Sequence, residues 1–155
     1  MIFHCTVFNK KTGEIVQYSY FDCPEDSEFI DKNYETRVGF FGSNTHSFIA
    51  EKPNNESQYV VMMEERPILV DRPSIPYQFD RTTLTAGTGD FITITGLHNP
   101  CELVIDDPDP TVETWRVTVD DGGFEFEADT PGVYTIEITH FPFIPAKIEI
   151  IASWP

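Results

Sequence analysis

The sequence predicts an all-β, mainly antiparallel protein with one short helix, built from two modules. Apolar and polar residues alternate with a period close to two through most of the chain, which is the pattern of half-buried strands. Turns rich in Gly, Asn and Asp separate these runs. Prolines cluster between residues 66 and 76, where they end strands and stiffen a linker. We therefore predict modules spanning residues 1–75 and 76–155.

The N-terminal module is predicted to open with a β-hairpin. Alternation runs through residues 2–8 and 15–21, and the turn between them contains Gly13, which can adopt a positive φ. Residues 23–26 form a candidate helix start, because proline and acidic residues suit the first turn. We predict a short helix that ends before Tyr34. Further strands are predicted at residues 36–41, 46–51, 59–64 and 68–70.

The C-terminal module is predicted to be a small antiparallel β-sandwich. Its short apolar runs are separated by turns, as in such sandwiches. In residues 128–136 a Pro-Gly turn leads into a strand with Tyr134 near its start, as at the corner of many immunoglobulin-like sandwiches. A plain core tyrosine is the alternative. The predicted strands cover residues 77–84, 92–95, 101–106, 115–119, 124–128, 134–138 and 148–150.

Charge and hydropathy disfavour several kinds of partner. The net charge is −16. Residues 1–75 hold 12 acidic and 7 basic residues (net −5), and residues 76–155 hold 14 and 3 (net −11). Such a surface repels phosphate backbones and anionic lipid, so we predict no nucleic-acid partner, although solubility alone also explains the charge. No apolar run suggests membrane insertion, and we expect no signal peptide.

The sequence contains no recognisable catalytic or cofactor motif. It has no Gly-rich phosphate loop, HExxH or GxSxG pattern. The three cysteines show no CxxC spacing, so we expect three thiols, with a Cys5–Cys23 bridge as the alternative. We therefore predict a protein that is not an enzyme and has no cofactor. The histidines are dispersed singly, at His4, His46, His98 and His140.

An acidic loop is the best candidate for a metal site. Asp106, Asp107 and Asp109 lie in this loop, and residues 120–121 add two carboxylates in the next turn. Calcium binds six to eight hard oxygens of this kind. If the intervening strands pair, however, the two loops lie at opposite ends. Two interpretations of this loop therefore remain: a calcium site at the three aspartates, or a solvated acidic loop that binds no metal. We favour the solvated loop.

The hairpin at the N-terminus is a candidate docking surface. Both faces of its strands carry apolar residues, and a two-faced apolar hairpin needs a second surface to cover it. On the second strand, Ile15 and Phe21 are expected to oppose Tyr18 and Tyr20. The charged outer faces of the C-terminal module are expected to stay in solvent. The predicted docking residues are Ile2, Phe3, Phe8, Ile15, Tyr18 and Tyr20.

A series of short motifs resembles a known group of proteins. The series consists of Thr12-Gly13-Glu14-Ile15, Cys23-Pro24, Arg66-Pro67, Leu84-Thr85-Ala86-Gly87, Ile94-Thr95-Gly96-Leu97, Pro100-Cys101, Asp121-Gly122-Gly123-Phe124-Glu125-Phe126, Asp129-Thr130-Pro131-Gly132-Val133-Tyr134-Thr135-Ile136 and Phe141-Pro142-Phe143-Ile144-Pro145. In this order it resembles small structural proteins of tailed bacteriophages, over most of the chain. These proteins combine an N-terminal hairpin module with a C-terminal immunoglobulin-like domain.

The resemblance implies a non-enzymatic virion component associated with the tail or its fibres. It implies other virion proteins as partners, in multiple copies, and synthesis in the bacterial cytoplasm without a signal peptide. A capsid decoration protein is one alternative. A receptor- or carbohydrate-binding immunoglobulin-like module is another, with Trp115 or Trp154 as its platform.

Overall fold

The computed structural model describes residues 1–25, 28–54 and 57–155. The chain divides into two compact units, Met1–Arg72 and Pro73–Pro155, called the N-terminal and C-terminal units below. Strands in several sheets dominate both units, and nearly all strand pairs are antiparallel. The all-β prediction is therefore confirmed.

A three-stranded sheet with the order β2-β1-β3 forms the centre of the N-terminal unit. It consists of β1 (Ile2–Asn9), β2 (Ile15–Asp22) and β3 (His46–Ile49). β1 is antiparallel to both neighbours, so the predicted hairpin is present.

A bulge in this hairpin corrects one part of the prediction. The register shifts between Val7 and Phe8, so that Phe8 lies opposite Ile15. One extra residue reverses the alternation of side chains beyond it. Ile15 consequently packs beside the cluster of Phe8, whereas Phe21 lies in the cluster on the other face. The expectation that Ile15 and Phe21 share a face was wrong.

The helix α1 (Phe29–Phe41) differs from its prediction at both ends. It begins after residues 23–26, of which Asp26 lies outside the described residues. It continues through residues 36–41, which were predicted as a strand. Its inward residues recur every three or four positions, as a helical face requires. They are Ile30, Tyr34, Val38 and Phe41.

The sheet is covered on both faces within its own unit. On one face, Tyr34 and Val38 of α1 pack with Cys5, Val7 and Phe21. On the other face lies an antiparallel hairpin of β4 (Gln58–Met63) and β5 (Arg66–Asp71). Residues of that hairpin complete the second cluster, which contains Phe8, Ile49 and Val60, with Ile15 and Leu69 packed against it.

The C-terminal unit contains two sheets. The larger has the strand order β10-β9-β12-β13-β7 and the smaller the order β11-β8-β6. Buried side chains from both sheets, such as Ile92 and Phe126 from the smaller and Leu103 and Ile136 from the larger, form one core. This is the arrangement of a β-sandwich. The strands are β6 (Gln78–Phe79), β7 (Thr83–Thr85), β8 (Phe91–Thr95), β9 (Cys101–Asp106), β10 (Trp115–Val119), β11 (Gly123–Glu127), β12 (Gly132–Thr139) and β13 (Ala146–Ser153).

The segment at residues 77–84, predicted as one strand, forms two. β6 pairs with β8 in the smaller sheet, whereas β7 pairs in parallel with β13 in the larger. Between them, Asp80 accepts a hydrogen bond from the backbone of Thr93 at 3.0 Å through its carboxylate. The chain thus crosses from one sheet to the other, a change that alternation alone does not reveal.

The chain joins the C-terminal unit at Pro73, before the predicted start at residue 76. The Pro73 carbonyl accepts a hydrogen bond from the Ile144 amide at 2.8 Å. Ser74 forms an isolated bridge with Ile144, and Ile75 is buried in the C-terminal core. Independent folding of the two units stays a prediction.

Candidate interaction surface

The outer edge of β2 is the most distinctive exposed feature of the N-terminal unit. β2 is an edge strand of eight residues, and its segment Ile15–Phe21 carries no charge. Val16, Tyr18 and Tyr20 are exposed along it. Natural edge strands of this length are usually blunted by charged residues or proline. An uncharged, aromatic edge therefore offers a surface suited to another polypeptide.

The predicted docking residues separate into an exposed and an internal group. Ile2, Tyr18 and Tyr20 are exposed, with Tyr20 at 65 %. Phe8 is only 3 % exposed, and Ile15 packs against its cluster. The hairpin β4–β5 covers these two, so they belong to the unit's own core and not to a free docking surface.

Phe3 and His4 show how the sheet supports the exposed group. Phe3 stacks on Phe21 at a centroid distance of 5.4 Å, and this places it beside the cluster under α1. On the other face, His4 Nδ1 and the Tyr18 hydroxyl lie 2.8 Å apart in a hydrogen bond. The two rings also stack, with centroids 5.9 Å apart. The hydrogen bond and the ring stacking thus hold Tyr18 in place.

The acidic loop shows local turn chemistry at each predicted ligand. Asp107 accepts a hydrogen bond from the Asp109 amide at 2.8 Å. Asp109 in turn accepts from the amide and hydroxyl of Thr111, and these bonds lower its pKa. Asp106 accepts from the Thr114 hydroxyl at 2.8 Å. Within the described residues no three His, Cys, Asp or Glu side chains group as metal ligands, so Asp106, Asp107 and Asp109 do not converge.

The second acidic turn lies away from the first. β9 and β10 are antiparallel, with Trp115 opposite Ile105 and Val119 opposite Cys101. Asp106 therefore lies at the end of the pair where Ile105 faces Trp115, and residues 120–121 lie beyond the opposite end, where Cys101 faces Val119. The expectation that the two acidic loops lie at opposite ends is confirmed.

Two histidines that are distant in sequence stack together in the C-terminal unit. The rings of His98 and His140 lie 4.9 Å apart and nearly parallel, and Phe143 packs beside both. His140 Nδ1 is 2.7 Å from the Pro100 carbonyl, to which it donates. His98 Nε2 is buried without a hydrogen-bond partner among the described residues. No local sequence pattern could reveal this cluster, because it depends on how separate loops meet.

A shallow cleft of about 470 Å³ lies beside α1 and β3. Lys10 at its edge donates to the Ser43 carbonyl at 2.7 Å. His46 Nδ1 lies 2.8 Å from the Thr45 hydroxyl. These polar groups hold the local turns together.

The cysteines are free thiols, as expected. Cys5 and Cys101 are buried, and burial raises the pKa of both thiols. A raised pKa disfavours the thiolate, which is the reactive form. Both side chains instead pack in the cores of their units.

Large aromatic side chains are also exposed on the C-terminal unit. Trp115, at the start of β10, is 48 % exposed, and Trp154, after β13, is 62 % exposed. The two tryptophans suggested as a binding platform are therefore accessible.

Comparison with models of known protein families and with curated protein sequences finds no match to this chain. Among the described residues, no helix combines the length and apolar character needed to cross a membrane.

Proposed function

We propose that this chain is a structural component of a bacteriophage virion, associated with the tail or its fibres, which acts through protein–protein contacts. The ordered series of motifs from residues 12–15 to 141–145 supports the virion setting, because it resembles small structural proteins of tailed phages. The proposed role is non-enzymatic. A capsid decoration protein would use the same kind of contact at another place on the particle.

The exposed edge of β2 is the observation that carries the contact role. Tyr18 and Tyr20 are exposed on the uncharged segment Ile15–Phe21 of β2, and Tyr18 is held by its hydrogen bond with His4. Tyrosine is enriched at protein interfaces because it offers a large contact area with a polar end. A preformed edge of this type binds with little loss of backbone entropy.

We further propose that the C-terminal unit is an immunoglobulin-like sandwich. One of its sheets contains β6, β8 and β11, and the other contains β7, β9, β10, β12 and β13. The Tyr134 hydroxyl donates to the Thr130 carbonyl at 2.9 Å, which is the hydrogen bond expected of a tyrosine corner. Such a unit presents loops at its ends, and its charged outer faces suit contact with solvent.

Receptor or carbohydrate binding is the second candidate function. It is favoured by the exposure of Trp115 and Trp154, since aromatic rings often provide platforms for ligands. In this case the C-terminal unit would recognise the ligand and the N-terminal unit would hold it on the particle. Binding of the purified chain to a glycan array, lost in Trp115→Ala or Trp154→Ala, would favour this function.

The proposal is tested on purified phage particles. The chain is expected in gradient-purified virions by mass spectrometry, in a fixed ratio to a tail protein, and at the tail by immunogold labelling. A variant lacking residues 73–155 should still be incorporated, whereas one lacking residues 1–72 should not. A chain that is abundant in the infected cell but absent from purified particles would refute the proposal. Labelling over the capsid would favour decoration instead.

A further inference from the structure

We propose that β2 pairs with β2 of a second copy of this chain, to form a two-fold symmetric antiparallel dimer. The pairing would join two three-stranded sheets into one of six strands. This inference goes beyond the proposed virion role, because it concerns the purified chain in solution and does not depend on where the protein acts.

The backbone hydrogen bonds show which groups of β2 are free to pair. The Cys23 amide donates to the Met1 carbonyl at 3.2 Å, which extends the register of β1 and β2. In an antiparallel pair, bonded and non-bonded residue pairs alternate. Residues 17, 19 and 21 therefore bond to β1, whereas the N–H and C=O groups of Tyr18, Tyr20 and Asp22 point away from the sheet. These outward groups form a row available to another strand.

The other edge strands in the described residues are protected. β3, β6 and β7 have four residues or fewer. β10 carries Arg116 and β11 carries two glutamates, and charges of this kind discourage strand pairing. β5 contains Pro67 and ends in Asp71. β4 is uncharged, but the Val60 amide at its edge already donates to the Gly13 carbonyl at 2.9 Å.

The residue pattern of the edge indicates a second copy as the occupant, because two copies of β2 are complementary when they pair about Ser19. Two chains of net charge −16 repel each other over most of their surfaces. Segment Ile15–Phe21 carries no acidic side chain, and the Arg37 guanidinium, which donates to the Ser19 hydroxyl at 3.0 Å, adds a positive charge beside it. The repulsion between two acidic chains is therefore weaker at this edge. Antiparallel pairing also places the turn with Lys10 and Lys11 of one copy at the same end as Glu25 of the other, whereas Asp22 is already paired with the Met1 ammonium at 2.9 Å.

One register fits the side chains best. With Ser19 opposite Ser19 of the second copy, Tyr18 lies opposite Tyr20, and aromatic cross-strand pairs stabilise sheets. Asp22 then lies opposite Val16. A register centred on Tyr18 would instead place Asp22 opposite Glu14, and like charges in that position are destabilising. The Ser19 register is therefore the one we propose.

The contact is expected to be of moderate strength. A single strand pair buries less than the roughly 1,600 Å² of a standard stable interface. We expect dissociation constants on the order of micromolar, which correspond to a concentration-dependent dimer. Copies held side by side on a larger assembly would pair more completely, because tethering raises their effective concentration.

Sedimentation equilibrium of the full-length chain tests the dimer over a range of concentrations from about 1 to 500 µM, around the expected dissociation constant. Tyr20→Lys should weaken dimerisation at least tenfold, since each copy then brings one charged lysine to the paired β2 strands. Phe40→Lys is the matched control, because it also replaces an exposed aromatic residue, 84 % exposed on α1, by lysine. The control should dimerise like the wild-type chain. Circular dichroism verifies that both variants are folded.

Cross-linking tests the register independently of Tyr20. In the proposed dimer the two Ser19 residues form a non-hydrogen-bonded pair with Cα atoms about 4.5 Å apart. That separation permits a disulfide. Because Cys5 lies directly opposite Ser19 on β1 and could form a competing intrachain disulfide, both variants are made in a Cys5→Ala chain. In that chain Ser19→Cys should give a covalent dimer on mild oxidation, whereas Gln17→Cys, opposite Phe21, should give far less. The Cys5→Ala chain itself, with its two remaining native thiols, is the background control.

Three outcomes would overturn the proposal. One is a wild-type chain that stays monomeric throughout the concentration range, which would leave the edge to a strand from a different protein. Another is equal weakening by Tyr20→Lys and Phe40→Lys. The third is equal cross-linking at positions 17 and 19 in a chain that does dimerise. The last two results would place the contact elsewhere or in another register.

Discussion

The hydroxyl group of Tyr134 ties the start of β12 to the turn before it. The ring is buried and packs edge-to-face on Phe126, with centroids 5.2 Å apart. Its hydroxyl donates to the Thr130 carbonyl and lies 2.9 Å from the Thr130 hydroxyl. Of the two interpretations that the sequence left open, the corner tyrosine is therefore the one that the hydrogen bond favours.

Removal of this hydroxyl should weaken the C-terminal unit. Tyr134→Phe keeps the ring but loses the hydrogen bond, so we expect the free energy of unfolding to fall by about 1 kcal/mol. Urea unfolding followed by tryptophan fluorescence measures it, since both tryptophans lie in this unit. Tyr20→Phe, at an exposed position of the other unit, should change the free energy of unfolding by less than about 0.5 kcal/mol. An equal effect of the two variants would contradict the assigned role.

Asp90 should make the stability of the C-terminal unit depend on pH. Its carboxylate accepts a hydrogen bond from the Thr85 amide at 2.8 Å and pairs with Arg81. These contacts, chiefly the bond from Thr85, lower the pKa of Asp90 in the folded state. The carboxylate therefore stabilises the fold above its unfolded pKa of about 3.9, and this stabilisation is lost as the pH falls through the lower folded value.

The corresponding variant is Asp90→Asn. We expect its melting temperature to lie below that of the wild type at pH 7, and the difference to shrink as the pH falls from about 4 toward 2. Calorimetry over this pH range gives both values. Asp120→Asn, at an exposed turn, is the control and should show little difference at either pH. A gap between Asp90→Asn and wild type that stays constant with pH would exclude the proposed ionic contribution.

The turn of the first hairpin connects two elements of the N-terminal unit. Gly13 has φ +78° and donates from its amide to the Asn9 carbonyl. Its own carbonyl accepts a hydrogen bond from Val60 of β4 at 2.9 Å. A Cβ atom at this position would collide with the Val60 carbonyl oxygen. Glycine is thus needed both for the turn and for the close approach of β4.

Two alanine substitutions should change stability in opposite directions. Gly13→Ala should cost about 2 kcal/mol or more, because it adds a collision to the strain of a positive φ. Gly39→Ala should instead stabilise by about 0.5–1 kcal/mol, since Gly39 is helical and its Cβ would meet no other atom within 4 Å. Thermal unfolding monitored by circular dichroism compares them. Destabilisation of similar size at both sites would contradict the close approach at Gly13.

At the scale of the full chain, residues 73–76 belong to the C-terminal unit. Ile75 is buried in its core, and Pro73 accepts a hydrogen bond from Ile144 at 2.8 Å. We expect the fragment 73–155 to fold and to be more stable than the fragment 77–155 by about 2 kcal/mol or more, the scale of losing a buried isoleucine. Urea unfolding followed by tryptophan fluorescence compares the two fragments. Equal stability, or failure of both to fold, would contradict this division of the chain.

Local patterns were sufficient for most strands of the C-terminal unit. Alternation of Tyr134, Ile136 and Ile138 with polar residues predicted both the strand and its buried face. The Gly-rich turn after residue 120 likewise marked the boundary between two strands. These features depend on neighbours in the chain, because strand periodicity and turn conformation are short-range properties.

Prediction from local patterns failed where contacts with residues distant in sequence determine the conformation. Residues 36–41 are compatible with a strand over six positions, and only packing of Val38 beside Cys5 and Phe21 shows the helical face. The exposed and buried members of the predicted docking set, such as Tyr20 and Phe8, are separated by where the hairpin β4–β5 lies.

The sequence alone thus determined the all-β class and the positions of the main turns, through its residue patterns. Its composition determined that the chain is strongly acidic. Tertiary contacts decided the bulge beside Ile15, the crossing from β6 to β7 and the stacking of His98 on His140. The physical reason is that the spacing of apolar residues along a strand or helix shows which face of that element is buried. The residues that cover this face lie far away in the sequence, so the spacing does not identify them.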